Sequence, residues 1–354
     1  MMTKTVAPSA PAAPLPPADS LQHVQRRRRR GRGMIAPIML QIAAMIGTAV
    51  LLYPTAANWF ATQAQQSQIS GYSKQIDALP SADRQRAFEL AAAYNERLPA
   101  GVLRDPYTNS GADRDTEDTA AYAAYQDTLS VADNGVIGEL QYSSLGIDLP
   151  IYHGTDDDVL AKGAGHLFGS SLPVGGASTH AVLTSHSGLP NASLFTPLHD
   201  AQIGDVFTVH VLGETHYYRV ESTDVITPDE TDRLRIVPGQ DLMTLITCTP
   251  IGVNSHRLLV NAVRISSPAD AAETQESRGG AGFPWWAVIF VSVSGIVAWL
   301  VFAPPRRRNH LSTRSGEAEP TTASAAQRSA QTLQTTDAIT PRSNLGKDYH
   351  DTRN

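Results

Sequence analysis

The chain has 354 residues, 42% hydrophobic and 18% charged, with a formal net charge of -6 and a single cysteine. At roughly 150 residues per domain, this length leads to two or three structural units. One cysteine excludes an intrachain disulfide, a CxxC redox pair and a thiolate cluster for zinc or iron–sulfur, and leaves Cys248 as either a bland buried thiol or a reactive one.

The charge is unevenly spread. Residues 1–33 carry seven Lys/Arg against one Asp, 304–354 carry eight against five, and the segment between carries thirteen against twenty-eight acids. The first 25 residues are rich in Pro, Ala and Ser and too poor in apolar surface to fold. Arg26–Arg30 and Arg32 close this basic segment 1–33, and the uncharged run 34–53 follows, with Gln41 its one strongly polar residue. At 1.5 Å per residue that run spans the roughly 30 Å of a bilayer core. A cleaved secretory signal, with a site near Thr55-Ala56-Ala57, is the alternative reading, although the run exceeds the 7–15 residues of a signal-peptide core. An arginine cluster also suits nucleic acid or anionic lipid, but beside a span it is most simply a topology signal, so no nucleic-acid partner is expected.

The region 54–134 reads as helical, with Ser81 as the cap of a helix running to about Arg97 and Ala87, Leu90, Ala91 and Tyr94 on one side. From Gly135 to Ile265 the pattern changes to β-branched and apolar stretches between Gly, Pro, Asn and Asp turns. The expected strands are 136–142, 148–153, 180–186, 206–212, 216–227, 242–248 and 256–265, with only Asp157 to about Lys162 helical among them. Seven or eight short strands over 135–265 suggest a mainly β fold, a closed or nearly closed barrel. A linker, 266–282, leads to a second uncharged run, 283–303, with Trp285, Trp286 and Trp299 near its ends and Arg306–Arg308 just beyond. The segment 304–354 is a Ser/Thr/Gln-rich tail. The positive-inside rule then places both termini in the cytoplasm and residues of about 60–280 outside, on a two-pass protein of the cell membrane.

The chemistry centres on Cys248, at the end of the apolar strand Leu242–Cys248 and just before Pro250. Such a position is rigid yet faces a rim where substrate enters. A thiolate is the nucleophilic form of cysteine, and it needs a cation or base nearby to form at neutral pH. Arg257 comes nine residues later, and if 249–255 form a loop between neighbouring strands it returns close to Cys248, where its fork of donors suits a developing oxyanion. His186 stands at the end of an earlier strand as a candidate acid–base. Spacing alone is a weak guide to it, because eight histidines lie between the two runs and His180 and His166 are possible substitutes. His180 and His186 lack a third residue at metal-ligand spacing, so no metal and no cofactor are expected.

These residues carry a family resemblance. Thr244-Leu245-Ile246-Thr247-Cys248-Thr249-Pro250 resembles the TLxTC signature of sortases, Asn254-Ser255-His256-Arg257-Leu258-Leu259-Val260 resembles the strand that follows it, and Ser185-His186-Ser187-Gly188-Leu189-Pro190 resembles the family's histidine segment. Gly165-His166-Leu167 and Ile151–Thr155 look like its linking turns. The resemblance spans roughly residues 80–265 in the family's order of His, Cys, Arg. Asp105-Pro106-Tyr107 is similar to the aspartate–proline–aromatic lid of the pilus-building class C sortases, which also carry two spans; an ordinary turn is the plain reading of that tripeptide. Ser185 stands where the family usually has Gly, Ser187 where Arg is frequent, and Tyr107 where Phe or Trp is common.

The resemblance implies a cysteine transpeptidase with catalytic residues His186, Cys248 and Arg257, covered by a lid loop at 105–107 in which Asp105 pairs with Arg257 and Tyr107 rests over Cys248. It further implies cleavage of an LPxTG-like sorting signal between Thr and Gly, and pilin subunits with an acceptor lysine as partners. A sortase that anchors surface proteins to the cell wall, and a non-catalytic module that binds sorting signals, remain the competing expectations.

Overall fold

The computed structural model describes residues 34–98, 105, 107, 119–267 and 280–303. The basic segment 1–33, Pro106, most of the expected linker 266–282 and the tail 304–354 lie outside the described residues.

The first apolar run is the beginning of a much longer helix, α1 (Ile35–Ala78), of 44 residues. Its early part exposes Val50, Leu51 and other apolar side chains. Beyond the run, the pattern becomes a stripe of Gln65, Ile69, Tyr72 and Ile76, buried against the rest of the chain at helical spacing. Pro54 lies inside α1 and does not end it. A proline removes one backbone donor, and next to it the Thr55 hydroxyl donates to the Leu52 carbonyl at 2.8 Å. Helix α2 (Ser81–Arg97) follows, with Pro80 rather than Ser81 at the cap position. Its packed face is Ala87, Phe88, Ala91, Tyr94 and Asn95, whereas Leu90, expected on that face, is exposed. Asn95 is buried because it exchanges two hydrogen bonds with the Leu172 backbone, at 2.7 and 3.1 Å. A further helix within the expected helical region 54–134, α3 (Thr119–Asp127), delivers the fully buried Tyr125.

Among the described residues, eight strands close a barrel in the order β1-β2-β3-β4-β7-β8-β6-β5. They are β1 (Val136–Tyr142), β2 (Ile147–His153), β3 (Ala164–His166), β4 (Thr179–Thr184), β5 (Val206–Val211), β6 (Glu214–Ile226), β7 (Asp241–Thr249) and β8 (His256–Ile265). A short helix, α4 (Asp157–Leu160), lies between β2 and β3. The contacts β2–β3 and β4–β7 are parallel and the rest antiparallel. Gly165-His166, expected as a turn, belongs to β3; a side chain at Gly165 would run into the Gly154 carbonyl and Leu160, so glycine is what admits this short strand. Strand β4 stops at Thr184, two residues short of His186.

Aromatic residues fill one side of the barrel, with Phe207 5.4 Å from Tyr142 and stacked 5.7 Å from Tyr218. Each such ring, fully buried, contributes on the order of 2 kcal/mol. A second, smaller cluster of Leu167, Val182, Ile226, Leu234, Ile246 and Leu259 lies beneath the loop residue Tyr107.

The second apolar run forms α5 (Trp285–Phe302), and α1 and α5 are each long and apolar enough to cross a membrane. They touch through Gln41, which donates to the Ser294 carbonyl at 3.1 Å, and the Trp59 indole donates to the Gly282 carbonyl, just before α5, at 3.0 Å.

Candidate active site

Strand pairing brings the site together. In the β7–β8 register Cys248 lies opposite Arg257, and in the parallel β4–β7 register Thr184 lies beside Ile246. His186 therefore leaves β4 alongside the last residues of β7. The Ser187 hydroxyl ties the two by donating to the Cys248 carbonyl at 2.9 Å, and Ser185 is buried, with its hydroxyl on the Gly163 carbonyl at 2.7 Å. Both departures from the family pattern thus have local structural partners. Gly188 has φ of +75°, and a Cβ there would collide with Ile251 of the β7–β8 turn, so this loop needs a glycine to lie against the end of β7.

Arg257 is almost fully enclosed, with its side chain 9% exposed and its partner Asp105 4%. Its Nε donates to Asp105 Oδ1 at 2.8 Å and its Nη2 to Oδ2 at 2.7 Å, a bidentate fork. Nη1 donates to the carbonyls of Asn254 and His256 at 3.0 and 3.2 Å. The guanidinium also sits 4.8 Å from the centre of the Tyr107 ring. Tyr107 donates to the Ser185 carbonyl at 2.6 Å, accepts from Thr184 Oγ1 at 2.7 Å, and has its ring 6.0 Å from that of His186. The two described residues of the expected lid are therefore wedged between Arg257, His186 and the ends of β4 and β7.

The electrostatics of this closed arrangement favour neutral groups. Burial pushes the Cys248 thiol above its ordinary value; Arg257 and a Tyr107 hydrogen bond pull it down, and Asp105 pushes it further up. Burial likewise lowers His186, offset only in part by Asp157, whose exposed carboxylate is 4.0 Å away. Burial works against the charge of Arg257, yet Asp105, Cys248 and Tyr107 together raise its pKa, so it remains a cation. Tyr107 is pushed well above its usual range, chiefly by burial, and stays protonated as a donor.

The other histidines considered for the acid–base role lie elsewhere. His180 is buried in β4 between the Arg235 carbonyl, at 2.9 Å, and Thr244 Oγ1, at 2.8 Å. His166 is fully buried, with Nδ1 2.9 Å from the Tyr125 hydroxyl and Nε2 2.8 Å from the Ser171 carbonyl, and burial pushes its pKa down to about 3.

The sortase domain model matches residues 140–265, and the chain is similar to several known sortases. Sortase C-1 of Actinomyces oris aligns with 46% identity and a TM-score of 0.50 over 52% of this chain and 99% of that one. A Streptococcus pneumoniae sortase C, reported for insight into catalysis and pilin substrate specificity, aligns with 36% identity and a TM-score of 0.50 over 56% of this chain and 96% of that one. This chain belongs to the sortase family. Sortase A of Streptococcus agalactiae serotype III (strain NEM316) is 29% identical over 130 residues, 36% of this sortase, which spans about half, 52%, of that relative.

Several contributors to the pocket of this sortase were not evident in its sequence. Thr184 holds the Tyr107 hydroxyl, Thr247 donates to the Ser185 carbonyl at 3.0 Å, and Asp157 faces His186. These threonines sit among apolar residues in β4 and β7, and threonine is an ordinary strand residue. Asp157 reads as a helix-start acid and nothing more.

Proposed function

We propose that this sortase is a membrane-anchored cysteine transpeptidase of class C, which cleaves an LPxTG-like sorting signal between Thr and Gly and joins the new carboxyl end to a pilin lysine. The observation that carries this reading is the bidentate Asp105–Arg257 pair with Tyr107 over the guanidinium, beside Cys248, on a sortase barrel. The two apolar helices fit an anchored protein, with both termini cytoplasmic and the barrel outside.

Cys248 and His186 begin as a neutral pair, which follows from the direction of both pKa shifts. As Cys248 Sγ attacks the threonine carbonyl, its proton passes to His186 and the oxyanion forms near the donors of Arg257. Collapse breaks the Thr–Gly bond, and the His186 imidazolium gives its proton to the departing glycine amine, leaving a thioester. The neutral lysine amine then attacks, loses a proton to His186, and expels the thiolate, which recovers that proton. The product is an isopeptide bond, and Cys248 and His186 return to their starting state.

Arg257 cannot serve the oxyanion while Asp105 occupies Nε and Nη2, so Asp105 and Tyr107 act as a lid that an incoming substrate displaces. Incubating the chain with a purified pilin that carries both a sorting signal and an acceptor lysine should produce a ladder of linked subunits. Persistence of that ladder with Cys248→Ala would refute the assignment. The likeness to a sortase A favours a second reading, attachment of surface proteins to the cell wall; thioester formation without pilin ladders would select it.

A further inference from the structure

Helix α1 fixes the height of each part of the barrel above the membrane, because it runs unbroken from the apolar run into the stripe that packs on the strands. With Tyr53 as the edge of the apolar core, Asn58 stands five residues, or about 8 Å, above it. That is roughly the depth of the headgroup layer. Asn58 Oδ1 accepts from the Ser193 N–H at 2.6 Å, and Ser193 belongs to the loop leaving His186, where the Phe195 N–H bonds the His186 carbonyl at 3.0 Å. Gln66, about 20 Å up, donates to Asp148 at the start of β2, at 2.8 Å. Tyr72, about 28 Å up, accepts the Leu212 N–H in the β5–β6 turn at 2.9 Å. Rising from the membrane, α1 meets the His186 loop first and the β5–β6 turn last. Strand direction agrees: β2 runs parallel to β3 and β3 antiparallel to β4, so β2 begins at the end where β4 finishes, which is the end that holds Cys248.

Two further features mark the same level. Trp59, next to Asn58, lies 5.1 Å from the Phe60 ring and 6.3 Å from that of Trp286 at the start of α5, a group of aromatic rings suited to a bilayer interface. In the β7–β8 turn, directly after the Cys248 strand, Ile251 is 47% exposed and Val253 70%. These two apolar side chains are open at the end of the barrel nearest the membrane, and Ile251 packs over Gly188 of the His186 loop.

We propose that the catalytic end of the barrel faces the bilayer, with Ile251 and Val253 resting on the outer lipid leaflet. This inference rests on the membrane-anchored reading above.

The test places an environment-sensitive fluorophore on Val253→Cys or, as a control, on Glu214→Cys, the first residue of β6 after the β5–β6 turn, both in a Cys248→Ala full-length chain. The chain is reconstituted into phosphatidylcholine vesicles with or without a headgroup-nitroxide phosphatidylcholine. The expected result is loss of emission at position 253 and unchanged emission at 214; Ile251→Cys, as an independent probe, should behave as 253 does. Emission at 251 and 253 that the nitroxide leaves unchanged, or equal quenching at 214, would overturn the orientation. Failure of the chain to float with the vesicles would overturn the anchored reading and the orientation together, whereas thioester capture by the unlabelled wild-type chain reports on the transpeptidase reading separately.

Discussion

Asp105 is the residue on which the resting state of the pocket turns. Its carboxylate holds two donors of Arg257 and adds to the burial that raises the Cys248 thiol. Because that pKa is raised, the thiolate fraction grows only as pH rises beyond the usual thiol range, and neutral solution holds little of it. Asp105→Ala removes one raising influence and frees Arg257 toward the sulfur, so the alkylation-versus-pH curve of Cys248 should move to lower pH. A displacement of one unit would give about tenfold faster labelling at pH 7. Identical curves for variant and wild type would show that Asp105 does not control the thiol. For His186 the sign is opposite: burial lowers its pKa, so the imidazole stays neutral below its ordinary value near 6.5. The acid limb of kcat/KM should fall below that pH, and His186→Ala should reduce the rate by about 10²- to 10⁴-fold. His186, Cys248 and Arg257 are legible as candidates because the segments around them resemble sortase motifs, whereas Asp105-Pro106-Tyr107 by itself reads as an ordinary turn. Thr184 and Thr247 do not stand out, since a threonine that orders a tyrosine across a sheet looks like any other strand threonine.

At the scale of elements, β1 and β8 have the bounds the sequence implies: Gly135 precedes the first, and apolar and β-branched residues outweigh Glu139 and Gln141 in β1 and Arg257, Asn261 and Arg264 in β8. β3 escaped notice because three residues, one a glycine, carry no periodicity. The length of α1 escaped it for another reason: the pattern changes from uniformly apolar to a stripe near Pro54, and a proline at such a change reads as a boundary. The attachment of α1 to the barrel makes its own prediction. The Tyr72 hydroxyl donates to the Ile137 carbonyl at 3.2 Å and accepts the Leu212 N–H at 2.9 Å, both in buried surroundings. Tyr72→Phe leaves those backbone groups unpaired and should cost about 1–3 kcal/mol. Thermal unfolding of the full chain in detergent should show the loss as a lower midpoint, and an unchanged midpoint would mean that the helix is not held there.

Over the whole molecule, the opening figures acquire a place. The -6 is the sum of two basic ends and an acidic middle, and the middle contains the barrel. The single cysteine lies at the end of β7 and, with no second cysteine in the sequence, has no intrachain partner to oxidise with, which suits the outside location proposed above. What composition and motifs left open was the relation of the site to the membrane, because that depends on how α1 docks along the strands and not on any local pattern. The central claim, covalent catalysis at Cys248, is tested most directly by intact-mass spectrometry of the full chain after incubation with an LPxTG-type peptide in the absence of an amine acceptor. The expected result is a mass increase equal to the peptide fragment ending in threonine, released by hydroxylamine and absent from Cys248→Ala. No adduct on a folded wild-type chain, or an adduct that persists in Cys248→Ala, would contradict it.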